Sequence, residues 1–314
     1  VSTDVKVLFI AGWGRSGSTV LDNVLGEVDG FFSAGELAHL WDRGLLQNRH
    51  CGCGLPFGRC EVWQAVLARA LDGPGSVEPD ELARLANAGT RTRHLPLHVL
   101  GLAEPSARFR ALLRRLYEAI RETTGCRVVV DSSKGPSYGR VLATTEGIDV
   151  RAVHLVRDPR ASAYSWMRPK IQPDEGRPRY MHQHGVAYSS LMWDVYNVGA
   201  EMLWRRERDH YLRIRYEDFV ARPQEIVRRV LAFVDEAPGE NMPWVSDRTV
   251  HLTANHTISG NPSRFRTGPI DLRADDEWRA RMRLRQKVAA TILTLPLLAR
   301  YSYEVACRRP PNPI

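Results

Sequence analysis

Three observations predict an α/β fold, a mainly parallel sheet covered by helices on both faces and carrying helical insertions. Val5, Val7, Leu8, Phe9, Ile10 and Ala11 form a short apolar, β-branched run of the kind a buried central strand shows. Similar runs recur at 127–131 (RVVVD), 150–156 (VRAVHLV) and 211–215 (YLRIR), with helix-like stretches between them, and that alternation builds parallel sheets from βαβ units. Polar residues then follow the strands. Arg15, Lys134, Arg157 and Tyr216 each lie just past one, at the carboxyl ends where open α/β sheets bind ligands.

The first strand runs into Gly12, Gly14 and Gly17. Beyond them Val20, Leu21, Val24 and Leu25 recur at helical spacing, with Ser18 and Thr19 where a cap and first turn would sit. Strand, glycine loop and helix make a phosphate-binding geometry, because the loop N–H groups and the helix N-terminus point their positive ends at one spot. Against the nucleotide-binding pattern G-x-x-x-x-G-K-[ST], Gly12, Gly17 and Thr19 fit, so the architecture is P-loop-like, but Ser18 stands where the lysine belongs. In a nucleoside-triphosphate site that lysine reaches the β- and γ-phosphates. Here the cation inside the loop is Arg15, which points to an anion of fewer charges bound without a metal. A glycine turn that only joins strand to helix is the bland alternative.

With 314 residues, 43% of them hydrophobic, the chain can bury a full core as one domain, 1–314. No run reaches the ~18 apolar residues of a membrane span, and no signal-peptide apolar region opens the chain, so a soluble, cytoplasmic protein is expected. The net charge of +8 favours anionic ligands, yet no block of like charges forms a nucleic-acid tail.

Five cysteines make no disulfide framework in a chain of this size. Cys51, Cys53 and Cys60 cluster behind His50 in HCGCGLPFGRC. The C-x-C spacing is tighter than that of the usual zinc site, and adjacent His50 and Cys51 reach one ion with difficulty. A structural loop or an opportunistic disulfide is expected there rather than a metal. Cys126 and Cys307 read as small apolar fillers.

Along the chain, 30–36 reads as a short extended piece or loop, and Glu36, Leu37, Leu40 and Trp41 begin a helix. Helices are expected at 61–71, 79–88 and 107–121, the last with Phe109, Leu112, Leu113, Leu116 and Ile120 on one face. Residues 72–106, with scattered Gly and Pro, read as a helical insert. Residues 132–134 are expected to turn, and helices follow at 136–145, 159–167, 186–206 and 223–234. Low complexity is confined to the Pro-rich 309–314.

A second signature starts at Val156, in VRDPRASAYSW. Arg157 leaves the strand end, and Ser165 lies eight residues on, about two turns into the helix that Pro159 can start. An arginine and a hydroxyl so placed can grip a phosphate, the arginine by a bidentate charge-assisted contact. The structural reading of R-D-P is that Asp158 caps the helix.

With these two motifs the sequence resembles the sulfotransferases that use 3′-phosphoadenosine 5′-phosphosulfate. GWGRSGSTVL is similar to their 5′-phosphosulfate loop, which implies donor contacts from Arg15, Ser16, Gly17, Ser18, Thr19 and Val20. VHLVRDPRASAYSW resembles their 3′-phosphate motif, in which the arginine and the serine eight residues later, here Arg157 and Ser165, bind that phosphate. Lys134 in VVVDSSKGP stands where the family keeps a catalytic lysine, and Tyr216 in IRYEDF matches a tyrosine near the adenine. RFRTG, with Arg264, Arg266, Thr267 and Gly268, resembles the late basic-glycine loop that closes over the 3′-phosphate. The matches run in family order from residue 5 to about 280.

The resemblance also bears on the catalytic base. Cytosolic aryl sulfotransferases place a histidine just after the lysine, whereas Gly135 and Pro136 follow Lys134 here. Tyrosylprotein sulfotransferases use a glutamate in a Gly-Glu motif shortly after the first helix. Gly35-Glu36 stands at the corresponding place, which implies Glu36 as general base; otherwise Glu36 stabilises the N-terminus of the helix that follows. The implied reaction is in-line transfer of a sulfuryl group to an acceptor hydroxyl, leaving 3′,5′-diphosphoadenosine. Arg15, Lys134 and the loop N–H groups would stabilise the departing phosphate, Glu36 would take the proton, and no metal is required.

The 168–185 segment, rich in Pro, Gly, His and charge, is too long for a tight turn and is expected on the acceptor side. His39, Trp166, Tyr188 and Trp193 are candidates for lining the acceptor pocket, although aromatics on helices more commonly pack in cores. His154, inside a strand, is expected to be buried. A bacterial-type soluble enzyme acting on a small-molecule hydroxyl fits the pattern. Two other readings stay open, an ATP-magnesium kinase or other phosphotransferase, against which the missing loop lysine argues, and a non-catalytic anion- or nucleic-acid-binding module.

Overall fold

The computed structural model describes residues 4–71, 78–175, 179–239 and 242–305. Cys307 and the Pro-rich 309–314 lie outside these residues, as do 72–77 of the expected insert and 176–178 of the acceptor-side segment.

The strands are β1 (Val5–Ala11), β2 (Phe31–Gly35), β3 (Val128–Lys134), β4 (Ile148–Val156), β5 (Ile171–Gln172), β6 (Arg179–Tyr180), β7 (Tyr211–Arg215), β8 (Thr249–Leu252) and β9 (Gly268–Asp271). Five form one sheet in the order β2-β3-β1-β4-β7, every neighbouring pair parallel. All five carboxyl ends therefore open on the same edge. The periodicity of β1 explains its central place. Val5, Val7 and Phe9 enter one core while Leu8 and Ile10 enter the other, the two-sided burial that parallel strands require.

The helices are α1 (Ser18–Gly26), α2 (Glu61–Ala70), α3 (Pro79–Thr90), α4 (Leu95–Val99), α5 (Ala107–Thr124), α6 (Pro136–Ala143), α7 (Pro159–Met167), α8 (Val186–Trp204), α9 (Tyr216–Ala221), α10 (Pro223–Phe233), α11 (Glu277–Arg281), α12 (Leu284–Leu293) and α13 (Leu295–Arg300). Trp63 of α2, Leu113 and Leu116 of α5, Tyr138 of α6 and Trp204 of α8 close the first core. Leu21 and Val24 of α1 and Ile226, Val227 and Val230 of α10 close the second. The amphipathic face of α5 is buried at Phe109, Leu113, Leu116 and Ile120, with Leu112 at its edge; Ser106 caps its start and Gly125, at φ 67°, ends it. Among the described residues no helix is long and apolar enough to cross a membrane.

Three elements differ from the expectations. Residues 132–134 continue β3 instead of turning, because Ser132 donates to the buried Asp22 carboxylate at 2.6 Å and the Ser133 N–H to Asp131 at 2.9 Å, which holds both serines extended. Past Gly35 no α-helix forms. A 3₁₀ turn over Leu37–His39 passes into a π-helical stretch over Leu40–Leu46, and Glu36 stays outside the helical region at φ −95°, ψ 77°. The third is the antiparallel β8–β9 hairpin, in which Gly268 is a strand residue paired with Leu252.

Candidate active site

The loop after β1 has to turn sharply against neighbouring backbone, and glycine is what allows it. At Gly12 (φ 134°) a Cβ would lie 2.4 Å from the Leu155 carbonyl oxygen, and at Gly17 (φ 89°) 2.4 Å from the Tyr216 ring. Tyr216, the first residue of α9 just past β7, thus packs against the loop. Gly17, not Ser18, is the N-cap of α1, and no side chain caps the helix, which leaves its first N–H groups for a ligand. Arg15 takes a positive φ of 69°, and its guanidinium stacks 4.7 Å over Trp166, whose indole N–H in turn donates to the Gly14 carbonyl at 3.1 Å. Burial pushes the Arg15 guanidinium down to about 10.

The second motif meets this loop from β4 and α7. Arg157 is buried, donates to the Arg15 carbonyl at 3.0 Å and lies 4.7 Å over the Tyr216 ring. Its other partner is Asp275, at 3.0 Å to the carbonyl and 3.4 Å to the carboxylate. Asp158 caps α7 and grips Arg160 at 2.7 Å, which fixes the point where Arg157 leaves the strand. Ser165 follows on α7 and lines the same cavity.

Glu36 and Lys134 close the other side. Gly35 (φ 77°) lets β2 bend against Ile258, and the Glu36 N–H donates to the Ile258 carbonyl at 2.7 Å. Lys134 sits past a register shift between β1 and β3, at φ 68°. Its ammonium donates to Glu36 at 2.5 Å and to the Ser132 carbonyl at 2.9 Å. His39 and Arg43 approach the same carboxylate at 3.8 and 4.0 Å, brought there by the irregular helical stretch. Burial pushes the Glu36 carboxyl up, but Lys134, His39 and Arg43 together pull it below the usual range, to about 2.

These groups share one cavity of about 740 Å³, within the size of small-molecule sites. It is lined by Arg15, Gly17, Ser18, Thr19, Val20, Glu36, Lys134, Arg157, Ser165, Tyr216 and Arg266 among the residues singled out from the sequence. Ser16, within the loop, is buried and outside the lining. Arg264 takes a different place. It is 1% exposed, donates to the Thr257 and His50 carbonyls at 2.7 and 2.6 Å, and pairs with Asp174 at 3.1 Å. Thr267 and Gly268 stand outside the lining, the first just before β9 and the second opening it.

Among the acceptor-side candidates, His39 and Trp166 line the cavity. Trp193 is fully buried and donates to the Arg157 carbonyl at 2.9 Å; Tyr188 is exposed and away from the lining. His154 is buried between Tyr211 and Asn197, at 2.7 Å from each, and burial pushes it down to about 4. The 168–185 segment contributes Lys170, Gln172, Glu175, Arg179, Tyr180, Met181 and His182 to one wall. Arg43 and Asn261 stand in no motif singled out from the sequence, and Lys170 is marked there only as part of the 168–185 segment. Burial, with Arg15 and Arg168 nearby, pushes the Lys170 ammonium down to about 8. Asn261 reaches the site because its N–H donates to Thr19 Oγ1 at 3.3 Å; the only local sign of it is the Gly260-Asn261-Pro262 turn signature.

Three buried polar atoms around the loop, Arg15 Nε, Ser16 Oγ and Arg157 Nε, have no hydrogen-bond partner. An anion held at the loop would satisfy them. With a helix N-terminus and the cationic side chains of Arg15, Lys134, Arg157 and Arg266 among those on one cavity, the residues present fit a phosphate-bearing ligand.

The model of the sulfotransferase family matches residues 8–237. Among solved structures, the sulfotransferase domain from the olefin synthase of Synechococcus PCC 7002 is similar over 95% of this chain and 95% of its own length, with TM-score 0.56 and 24% identity. The sulfotransferase domain from the curacin biosynthetic pathway is similar over 96% of this chain and 99% of its own, with TM-score 0.55 and 17% identity. At these identities the likeness speaks for the fold. No curated protein sequence matches the chain significantly. With well over half of the chain matched, from the phosphate loop to the helices behind β7, this protein belongs to the sulfotransferase family.

Proposed function

We propose that the protein transfers a sulfuryl group from 3′-phosphoadenosine 5′-phosphosulfate to the hydroxyl of a small molecule. The observation that carries this reading is the 2.5 Å contact between Glu36 and Lys134 beside the phosphate loop, a base and a charge stabiliser held together at one point. The loop residues 15–20 would hold the 5′ side of the donor, Arg157, Ser165 and Arg266 its 3′-phosphate, and Tyr216 would flank the adenine. Arg264, already engaged with Asp174, would support the loop instead.

Bound there, the donor supplies an electrophilic sulfuryl group on a phosphate leaving group. The acceptor oxygen forms the new S–O bond, the old S–O bond breaks with its electron pair on the phosphate, and the acceptor's proton passes to Glu36. Arg15, Lys134 and the loop N–H groups oppose the charge on the phosphate, and one preorganised donor of this kind is worth ~10²–10³-fold. A carboxylate at about 2 is a weak base. When Lys134 turns to the leaving oxygen, burial is no longer opposed by its strongest partner, and Glu36 rises toward the range that proton transfer needs.

One cavity of about 740 Å³ has to take both donor and acceptor, which favours a small acceptor, set against His39, Tyr196, Lys170, Gln172, Met181 and His182. Calorimetric titration with 3′,5′-diphosphoadenosine, with ATP plus magnesium as the paired ligand, tests the donor. Metal-independent binding of the first alone is expected. Preferential binding of ATP with magnesium overturns the reading in favour of a phosphotransferase.

A further inference from the structure

Away from the cavity, one cluster of side chains has a chemistry that the transfer reaction does not use. Cys51, Cys53, Cys60 and His256 bring four ligand atoms to within 4.8 Å of one another. Cys51 and Cys60 are fully buried, and Cys51, Cys53 and Cys60 are all free thiols. His256 presents Nδ1 to them, 3.2 Å from Cys60 Sγ and 3.9 Å from Cys51 Sγ. A tetrahedral zinc with bonds of about 2.3 Å to sulfur and 2.0–2.1 Å to nitrogen separates those atoms by about 3.6 Å, between the two values seen. We propose that Cys51, Cys53, Cys60 and His256 form a structural zinc site that staples the 50–60 loop to the segment carrying the late wall of the cavity.

The two objections raised by the sequence are answered by the fold. His50 is not needed, since the nitrogen comes from a residue 205 positions after Cys51. The tight C-x-C spacing works because the chain turns back on itself between the cysteines and Leu55. Cys51 N–H donates to the Leu55 carbonyl at 2.8 Å, Gly54 N–H to the Cys51 carbonyl at 2.9 Å, and Gly54 has φ 86°. Gly52 makes the approach to the histidine segment possible. A Cβ there would lie 2.0 Å from Asn255 Oδ1 and 2.7 Å from Thr257 Oγ1, and the Gly52 N–H donates to the Thr257 carbonyl at 3.0 Å.

The surroundings also suit a metal. Trp63 Nε1 donates to the His256 carbonyl at 2.7 Å and fixes the ligand's backbone. Cys60 is the N-cap of α2, where the helix dipole favours a thiolate. Three thiolates and one imidazole select zinc among common divalent ions, and four protein ligands leave no open position, so the role is structural. Two residues beyond His256, Ile258 pairs with β2 next to Glu36, and Asn261 with Thr19. The staple therefore holds the base and the phosphate loop against each other without taking part in the chemistry.

The test is the metal content of the full chain purified under reducing conditions without chelator, read by elemental analysis, and the spectrum after replacement by cobalt. About one zinc per chain, visible absorption of a tetrahedral thiolate cobalt centre, and retention of zinc by Cys126→Ser are expected. Cys53→Ser, at the one half-buried thiol of the cluster, should lose most of the zinc while keeping its far-ultraviolet circular dichroism. No zinc after reconstitution, unchanged stoichiometry in Cys53→Ser, or an intact mass showing a disulfide within the cluster overturns the proposal. None of these readouts depends on sulfuryl transfer.

Discussion

Asp275 holds Arg157 from outside the sheet, with its carbonyl 3.0 Å and its carboxylate 3.4 Å from the guanidinium, and the same carboxylate binds Arg168 at 2.5 Å. An internal carboxylate thus competes for the arginine assigned to the 3′-phosphate. Asp275→Asn is expected to tighten binding of 3′,5′-diphosphoadenosine by about two- to fivefold, the range of a partly exposed ion pair. Calorimetry reads the change; weaker binding instead would mean that Asp275 positions Arg157 for the ligand.

Removing the charge of Glu36 tests the base. Glu36→Gln is expected to lower kcat by ~10²- to 10⁴-fold while leaving the affinity for 3′,5′-diphosphoadenosine nearly unchanged, because the carboxylate faces Lys134 and not the 3′ side of the cavity. Steady-state kinetics beside calorimetry separates the two. Unchanged turnover would take Glu36 out of the mechanism.

Lys134→Ala bears on the coupling between lysine and glutamate. Burial alone pushes Glu36 up, and Lys134 is the foremost group pulling it down. Without that ammonium the acid limb of the residual kcat/KM profile should move to higher pH, since Glu36 has to be ionised to act and now protonates earlier on acidification. The rate itself should fall by ~10²–10³-fold. A limb that stays in place would show that Glu36 is not the group titrating.

Much of the site was legible because its spacing is local. Pro159 and a helix of known pitch put Ser165 beside Arg157, and Gly12 and Gly17 frame the loop whatever the rest of the chain does. The Glu36–Lys134 contact spans 98 positions and depends on β2 and β3 being neighbours, which no local pattern encodes. Arg264 and Arg266 are two residues apart, and what separates them is Asp174, 90 positions from Arg264, which captures one and leaves the other at the cavity. Arg43, Lys170 and Asn261 arrive from an irregular helical stretch, a short hairpin and a loop tied to Thr19. None of these has a hydrophobic period to read.

Gly17→Ala tests whether the loop and Tyr216 are fitted to each other. The φ of 89° costs an alanine about 1–2 kcal/mol, and the added Cβ would also meet the Tyr216 ring at 2.4 Å. The loss of stability in urea should therefore be smaller in a Tyr216→Ala background, leaving the backbone strain alone. Equal losses in both backgrounds would contradict the packing argument.

Asp22 on α1 lies under the same loop, fully buried, and accepts hydrogen bonds from Ser33 and Ser132 at 2.6 Å each. Burial pushes its carboxyl up to about 7 despite those two donors. Because this folded value exceeds the unfolded one near 3.9, its contribution to stability is fully present below about pH 4 and is lost as pH rises through about 7. Asp22→Asn keeps the shape and removes the ionisation. It is expected to be more stable than the wild type at pH 8.5, with a ceiling of about 4 kcal/mol from three pKa units at 1.36 kcal/mol each, and close to it at pH 4. Urea unfolding at the two pH values reads the difference. An equal loss at both would mean that the geometry of the two serine bonds, and not the charge, governs this position.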